Sequence, residues 1–65
     1  MKITVNAEAH DTDLDTLDQL LDSLGHESTT VATAVNGEFV PLVQRKLCEL
    51  NEGDAIEIIA PMAGG

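Results

Sequence analysis

The sequence predicts a small α+β two-layer domain in which one helix covers one face of a mixed β-sheet. Three observations predict it. Leu17, Leu20, Leu21 and Leu24 recur at i, i+3, i+4 and i+7 and so share one face of a helix. Short apolar runs bounded by turn residues flank that helix on both sides, at Ile3 and Val5, Val31 to Val35, Glu38 to Val40 and Ile56 to Ala60. The chain has 65 residues, room for one domain, and a single leucine face can cover only one side of one sheet.

Each element has its own local reason. Met1 to Asn6 alternates, with Ile3 and Val5 on one face and Lys2, Thr4 and Asn6 on the other, as in a half-buried strand. The polar stretch that follows predicts a turn around Asn6 to Glu8 and a short second strand that includes Ala9 and His10. Thr16 and Gln19 have capping-box spacing, and Asp15 and Asp18 place negative charge near the positive end of the helix dipole. Gly25 stands where a left-handed C-terminal cap is expected. Val31 to Val35 is rich in β-branched residues, and Asn36-Gly37 is a hairpin signal because both residue types tolerate positive φ. Glu38 to Val40 returns as a strand that Pro41 stops. Leu42 to Leu50 is ambiguous between a helical turn and a loop, and Asn51 to Asp54 form another turn before the isoleucine-rich last strand. The burial pattern puts the first and last strands inside the sheet, where Ile3, Val5, Ile56 and Ile58 meet the leucine face of the helix.

Composition excludes several function classes. Twelve acids against Lys2, Arg45 and Lys46 give a net charge of −9, which repels phosphate backbones and anionic lipid, so neither nucleic acid nor a membrane surface is an expected partner. The same charge speeds encounter with a protein that carries a basic docking surface. Cys48 is the single cysteine, so no internal disulfide can form, and a reduced, cytoplasmic setting is expected. No stretch approaches the ~18 apolar residues of a membrane span, and no basic segment followed by an apolar run opens the chain. A domain this small buries only about 60% of its unfolded surface, which leaves little room for a deep catalytic pocket.

The final residues carry the chemistry. Pro61 cannot continue a strand ladder, so residues 1–60 are expected to form the domain and residues 61–65 a thin, flexible tail. Gly64 and Gly65 have no Cβ to clash inside a narrow channel. Five extended residues reach about 17 Å at ~3.3 to 3.6 Å each, enough to carry a terminal carboxylate into a partner's buried site. A bare terminal Gly-Gly also fits an ordinary frayed end, so the decision rests on the residues upstream.

Those residues resemble the β-grasp (ubiquitin-like) sulfur carriers. The order of elements, the segment Ala34-Val35-Asn36-Gly37-Glu38-Phe39-Val40-Pro41, the later Gly53, Asp54 and Ile56, and the closing Gly64-Gly65 are similar to the ThiS family, across the whole chain. Molybdopterin-synthase small subunits share much of the pattern. The resemblance implies a mixed sheet of four to five strands on one main helix. It also implies a carried substrate for thiamine thiazole synthesis, whose own side chains catalyse nothing and which binds no cofactor. A ThiF-like adenylyltransferase would use ATP and Mg²⁺ to form an acyl adenylate at Gly65. Sulfur from a cysteine desulfurase or other persulfide donor would convert this to a thiocarboxylate, and a ThiG-like thiazole synthase would accept the sulfur. Met62, Ala63, Gly64 and Gly65 would enter the partner's active site. Phe39, Leu42 and Ile59, with Met62, are candidates for an exposed apolar patch where enzymes grip the carrier, with core packing the competing expectation for Phe39 and Leu42. Many thiamine carriers place an arginine after the proline and a bulky residue a few positions on. This chain has Leu42, Val43 and Gln44, with its basic pair at Arg45 and Lys46.

The terminal group itself explains the need for activation. An α-carboxylate with a pKa near 3.5 is ionised at neutral pH and is a poor electrophile, so it must be activated before sulfur can replace an oxygen. Competing signals are weaker. Asp11, Asp13, Asp15 and Asp22 fall at positions 1, 3, 5 and 12 of a possible calcium loop, but position 6 is Thr16 instead of glycine and position 12 is not glutamate. His10 and His26 have no third ligand at metal spacing. Cys48 has no base beside it in the sequence and is expected to be a small, mostly buried residue. Alternative readings are a carrier for molybdopterin or another sulfur-containing product, a ubiquitin-like modifier forming isopeptide bonds, and an interaction module with an inert tail.

Overall fold

The first and last strands lie side by side and parallel, inside the sheet. In the computed structural model, which describes residues 1–60, β1 (Lys2–Val5) pairs with β5 (Ala55–Ile59) through Thr4 with Ala55 and Val5 with Ile56. The expected tail, residues 61–65, lies outside the described residues. β1 also pairs antiparallel with β2 (Glu8–Asp11), and β5 pairs antiparallel with β3 (Ala32–Val35). A hairpin joins β3 to β4 (Glu38–Val40), so the described residues form a five-stranded sheet in the order β2-β1-β5-β3-β4. Both apolar strands are interior, as their patterning predicts.

Turn chemistry explains the two hairpins. Asn36 and Gly37 both take positive φ, at 52° and 84°, the backbone that a tight two-residue connection between twisted strands needs. Asn6 and Ala7 do the same between β1 and β2, at 51° and 69°, although alanine has no chemical reason to favour that region. The α-helix α1 (Leu17–Ser23) starts after Thr16, whose backbone is extended, and the Gln19 side chain accepts from the amides of Asp15 and Thr16. Leu24 is the C-terminal cap residue and is half-buried, and Gly25 follows with φ of 81°.

The core is one cluster between α1 and the sheet. Ile3, Val5, Leu17, Leu20, Leu21, Ile56 and Ile58 are buried together as expected, and Val31 and Leu50 join them. The ambiguous stretch after Pro41 resolves into a 3₁₀ helix, Leu42–Leu47, followed by an extended segment that pairs Glu49 with Thr16. That segment satisfies backbone groups at the start of α1, with Leu17 N donating to Cys48 O at 3.0 Å and Leu50 N donating to Asp15 O at 2.8 Å. A shorter 3₁₀ turn, Ser28–Thr30, leads from the helix into β3. Asp54 is buried but satisfied: its carboxylate accepts from Asn36 Nδ2 at 2.9 Å and from Asn51 N at 2.8 Å, which ties the β3–β4 hairpin to the start of β5.

Arg45 is the buried member of the basic pair. Unlike Lys46, which is exposed, it is only 3% exposed. Its Nε donates to Thr33 Oγ1 at 3.0 Å, Nη1 to Ser28 O at 2.5 Å and Nη2 to Val31 O at 2.6 Å. The guanidinium fork is thus filled by three neutral oxygens from β3 and the turn before it, a geometry for which arginine's planar set of donors is suited.

Candidate functional site

The second face of the sheet carries the site. Because side chains alternate along a strand, the residues of β3, β4 and β5 that point away from α1 are Ala55, Glu57 and Ile59 on β5, Ala32 and Ala34 on β3, and Phe39 on β4. The register sets Phe39 opposite Ala34, Ala34 opposite Glu57, and Ala32 opposite Ile59. The alanines leave a shallow surface from which two large apolar groups stand out, Phe39 at 68% and Ile59 at 61% exposure. Packing inside the core is therefore excluded for Phe39, and both residues share one face.

Leu42 is 43% exposed at the start of the 3₁₀ helix, so the core expectation fails for it too. It belongs to the 3₁₀ helix that follows the edge strand β4 and not to the sheet. Two exposed apolar residues escaped sequence reasoning, Val43 at 75% and Leu47 at 77%. The ambiguous periodicity of residues 42–50 gave no face to assign them. A groove lined by Glu38, Phe39, Val40, Gln44, Leu47 and Cys48 connects β4 to this helix. Met62, Ala63, Gly64 and Gly65 lie outside the described residues.

Among the described residues near this surface, Cys48 is not set up as a nucleophile. Cys48 is half-buried, not mostly buried, and its thiol pKa is raised, first by burial and then by the Asp54 carboxylate. Both effects disfavour the thiolate, the opposite of what a nucleophile needs. Asp11 closes β2 and Asp22 lies within α1, so the acids spaced like a calcium loop are spread over a strand, a connector and a helix. Among the described residues no three His, Cys, Asp or Glu side chains gather as a metal site. No helix among them is long and apolar enough to cross a membrane.

A five-stranded mixed sheet on one main helix, with the last strand central and leading to a Gly-Gly end, defines a β-grasp, ubiquitin-like protein. The ThiS family model matches residues 2–65, and the chain belongs to the ThiS family. It is similar to a crystal structure of a thiamine biosynthesis protein (ThiS) from Geobacter metallireducens, with a TM-score of 0.82 and 28% identity over 100% of both chains. It is also similar to a solution structure of a thiamine biosynthesis protein from the same organism, with a TM-score of 0.81 and 28% identity over 100% of this chain and 88% of that one. Comparison with curated proteins finds no match. Family membership implies a sulfur carrier of thiamine biosynthesis, a protein that is acted upon and is not itself a catalyst.

Proposed function

We propose that the chain carries sulfur as a thiocarboxylate on Gly65, with residues 1–60 as the body that enzymes grip and residues 61–65 as the segment that enters their active sites. A ThiF-like adenylyltransferase binds ATP and Mg²⁺, and the Gly65 carboxylate attacks the α-phosphate to give an acyl adenylate with loss of pyrophosphate. The terminal sulfur of a cysteine persulfide then attacks the acyl carbon and AMP leaves. Reduction of the sulfur-sulfur bond by a thiol yields the thiocarboxylate, which a ThiG-like thiazole synthase consumes in the cytoplasm.

The observation that carries this reading is the family match over residues 2–65, which includes Gly64 and Gly65. The structure supports it chemically. The open sheet face offers Phe39 and Ile59 as apolar anchors, and Leu42 is exposed on the 3₁₀ helix that follows β4, on a body whose net charge of −9 suits a basic docking surface. Glycine at the last two positions lets a partner enclose the reactive acyl group against water.

Intact-mass measurement tests it. The protein is incubated with an adenylating enzyme of the ThiF type, ATP, Mg²⁺, a cysteine desulfurase and cysteine. The expected result is a gain equal to one oxygen exchanged for sulfur, located at Gly65 by fragmentation, and an unchanged mass would overturn the proposal.

A further inference from the structure

The side chain of Asn6 continues a ladder that its own backbone abandons. In a parallel pair, alternate residues of one strand donate and accept at successive residues of the other. Thr4 N donates to Asp54 O at 2.9 Å and Asn6 N donates to Ile56 O at 2.9 Å, so the next bond would join Ile58 N to the Asn6 carbonyl. At Asn6 the chain turns away with φ of 51°. Asn6 Oδ1 accepts from Ile58 N instead, at 2.9 Å, and Asn6 Nδ2 donates to Ile58 O at 3.2 Å. One side-chain amide thereby replaces the two backbone groups that β1 would have supplied had it continued.

The location gives this contact its meaning. On its other side, β5 is held by β3 as far as Ile59 opposite Ala32. Ile58 is thus the last described residue of β5 bonded on the β1 side, with only Ile59 and Ala60 between it and Pro61. The fold itself does not demand the amide at position 6, because glycine also satisfies a turn with positive φ.

We propose that Asn6 is a positioning residue for the sulfur-carrier reaction: its side-chain amide fixes the β1 side of β5 at Ile58, and so the base from which Gly65 must reach an enzyme's active site. This rests on the reading of Gly65 as the activated residue. Without the clamp, the end of β5 is free on the β1 side, and each residue that has to be re-ordered in the enzyme's channel reduces the rate by about tenfold. The sheet face carrying Phe39 and Ile59 is untouched, so docking is preserved.

The test compares wild type, Asn6→Gly and Asn6→Asp in adenylation and thiocarboxylate formation, with the carrier as varied substrate. Asn6→Gly keeps the turn and removes both side-chain bonds, and Asn6→Asp keeps the acceptor and loses the donor. Both variants are expected to keep their far-UV circular dichroism, to exchange the Ile58 amide faster with solvent, and to hold KM within about twofold while kcat falls, by about tenfold for Asn6→Gly. Ala7→Gly, which relieves strain in the same turn, leaves kcat unchanged. A kcat within about twofold of wild type in both Asn6 variants, or a KM rising in step with the fall in kcat, overturns the inference. A wild-type chain that is never converted overturns the carrier reading first, and this inference with it.

Discussion

Arg45 offers the sharpest test of the packing described above. Arg45→Met keeps most of the aliphatic stem and removes a guanidinium that fills three oxygens at 3.0, 2.5 and 2.6 Å. Ser28 is exposed, so its carbonyl regains water at little cost, whereas Val31 and Thr33 are buried. The buried Val31 carbonyl left without a donor costs about 1 to 3 kcal/mol, Thr33 Oγ1 loses one bond of about 1 kcal/mol while still donating to Val40 O, and relief from burying a cation offsets part of that. The net expectation is a loss of about 2 kcal/mol. That is a large share of the total, since a chain of 65 residues at ~0.05 to 0.15 kcal/mol each is stable by about 3 to 10 kcal/mol. Urea unfolding followed by far-UV circular dichroism measures it, because the chain has no tryptophan or tyrosine to report by fluorescence. Arg45→Lys keeps the charge but cannot present a planar fork, so it is expected to be destabilised as well. The only ion pair among the described residues joins the Met1 amino group to Asp11, so the Arg45 loss should persist at high salt. If Arg45→Met unfolded within about 0.5 kcal/mol of wild type, or if lysine restored stability fully, the buried-fork explanation would be wrong.

Three further outcomes are expected. Ala7→Gly should raise the unfolding free energy by about 0.5 to 1 kcal/mol in the same urea experiment, because alanine is held at φ of 69° and glycine carries no penalty there. Phe39→Ala and Ile59→Ala should leave stability nearly unchanged, since both side chains are exposed, and should each raise the KM of the activating enzyme for the carrier by about tenfold. For Cys48, burial and then Asp54 raise the folded-state pKa, so alkylation by iodoacetamide should titrate at higher pH than in the unfolded chain. The sign for stability follows: the contribution is present below the unfolded thiol's pKa of about 8.5 and is lost as pH rises through the folded value. An alkylation profile at or below that of the unfolded chain would contradict it.

How far the fold could be read in advance depended on whether the signal was local. The leucines of α1 sit at helical spacing, and Asn36-Gly37 names its own turn through backbone preference, so each could be assigned from its neighbours. The stretch after Pro41 could not, because a 3₁₀ helix of six residues has no sustained apolar period. Phe39 illustrates the same limit for the site. An aromatic residue in a strand has two faces available, and only the pairing of Phe39 with Ala34 and of Ala34 with Glu57 decides that it faces away from α1.

The sequence by itself determined the two-layer class, the interior place of the first and last strands, the acidic body and the Gly-Gly end, because periodicity, composition and turn preference act over a few residues. Tertiary structure alone decided that Arg45 is buried and that the Asn6 side chain continues the β1 ladder on Ile58. Both depend on partners distant in sequence, Thr33 for Arg45 and Ile58 for Asn6, whose approach no local pattern encodes. A polar side chain is buried when folding brings acceptors or donors to it in the right geometry, and that geometry belongs to the assembled sheet.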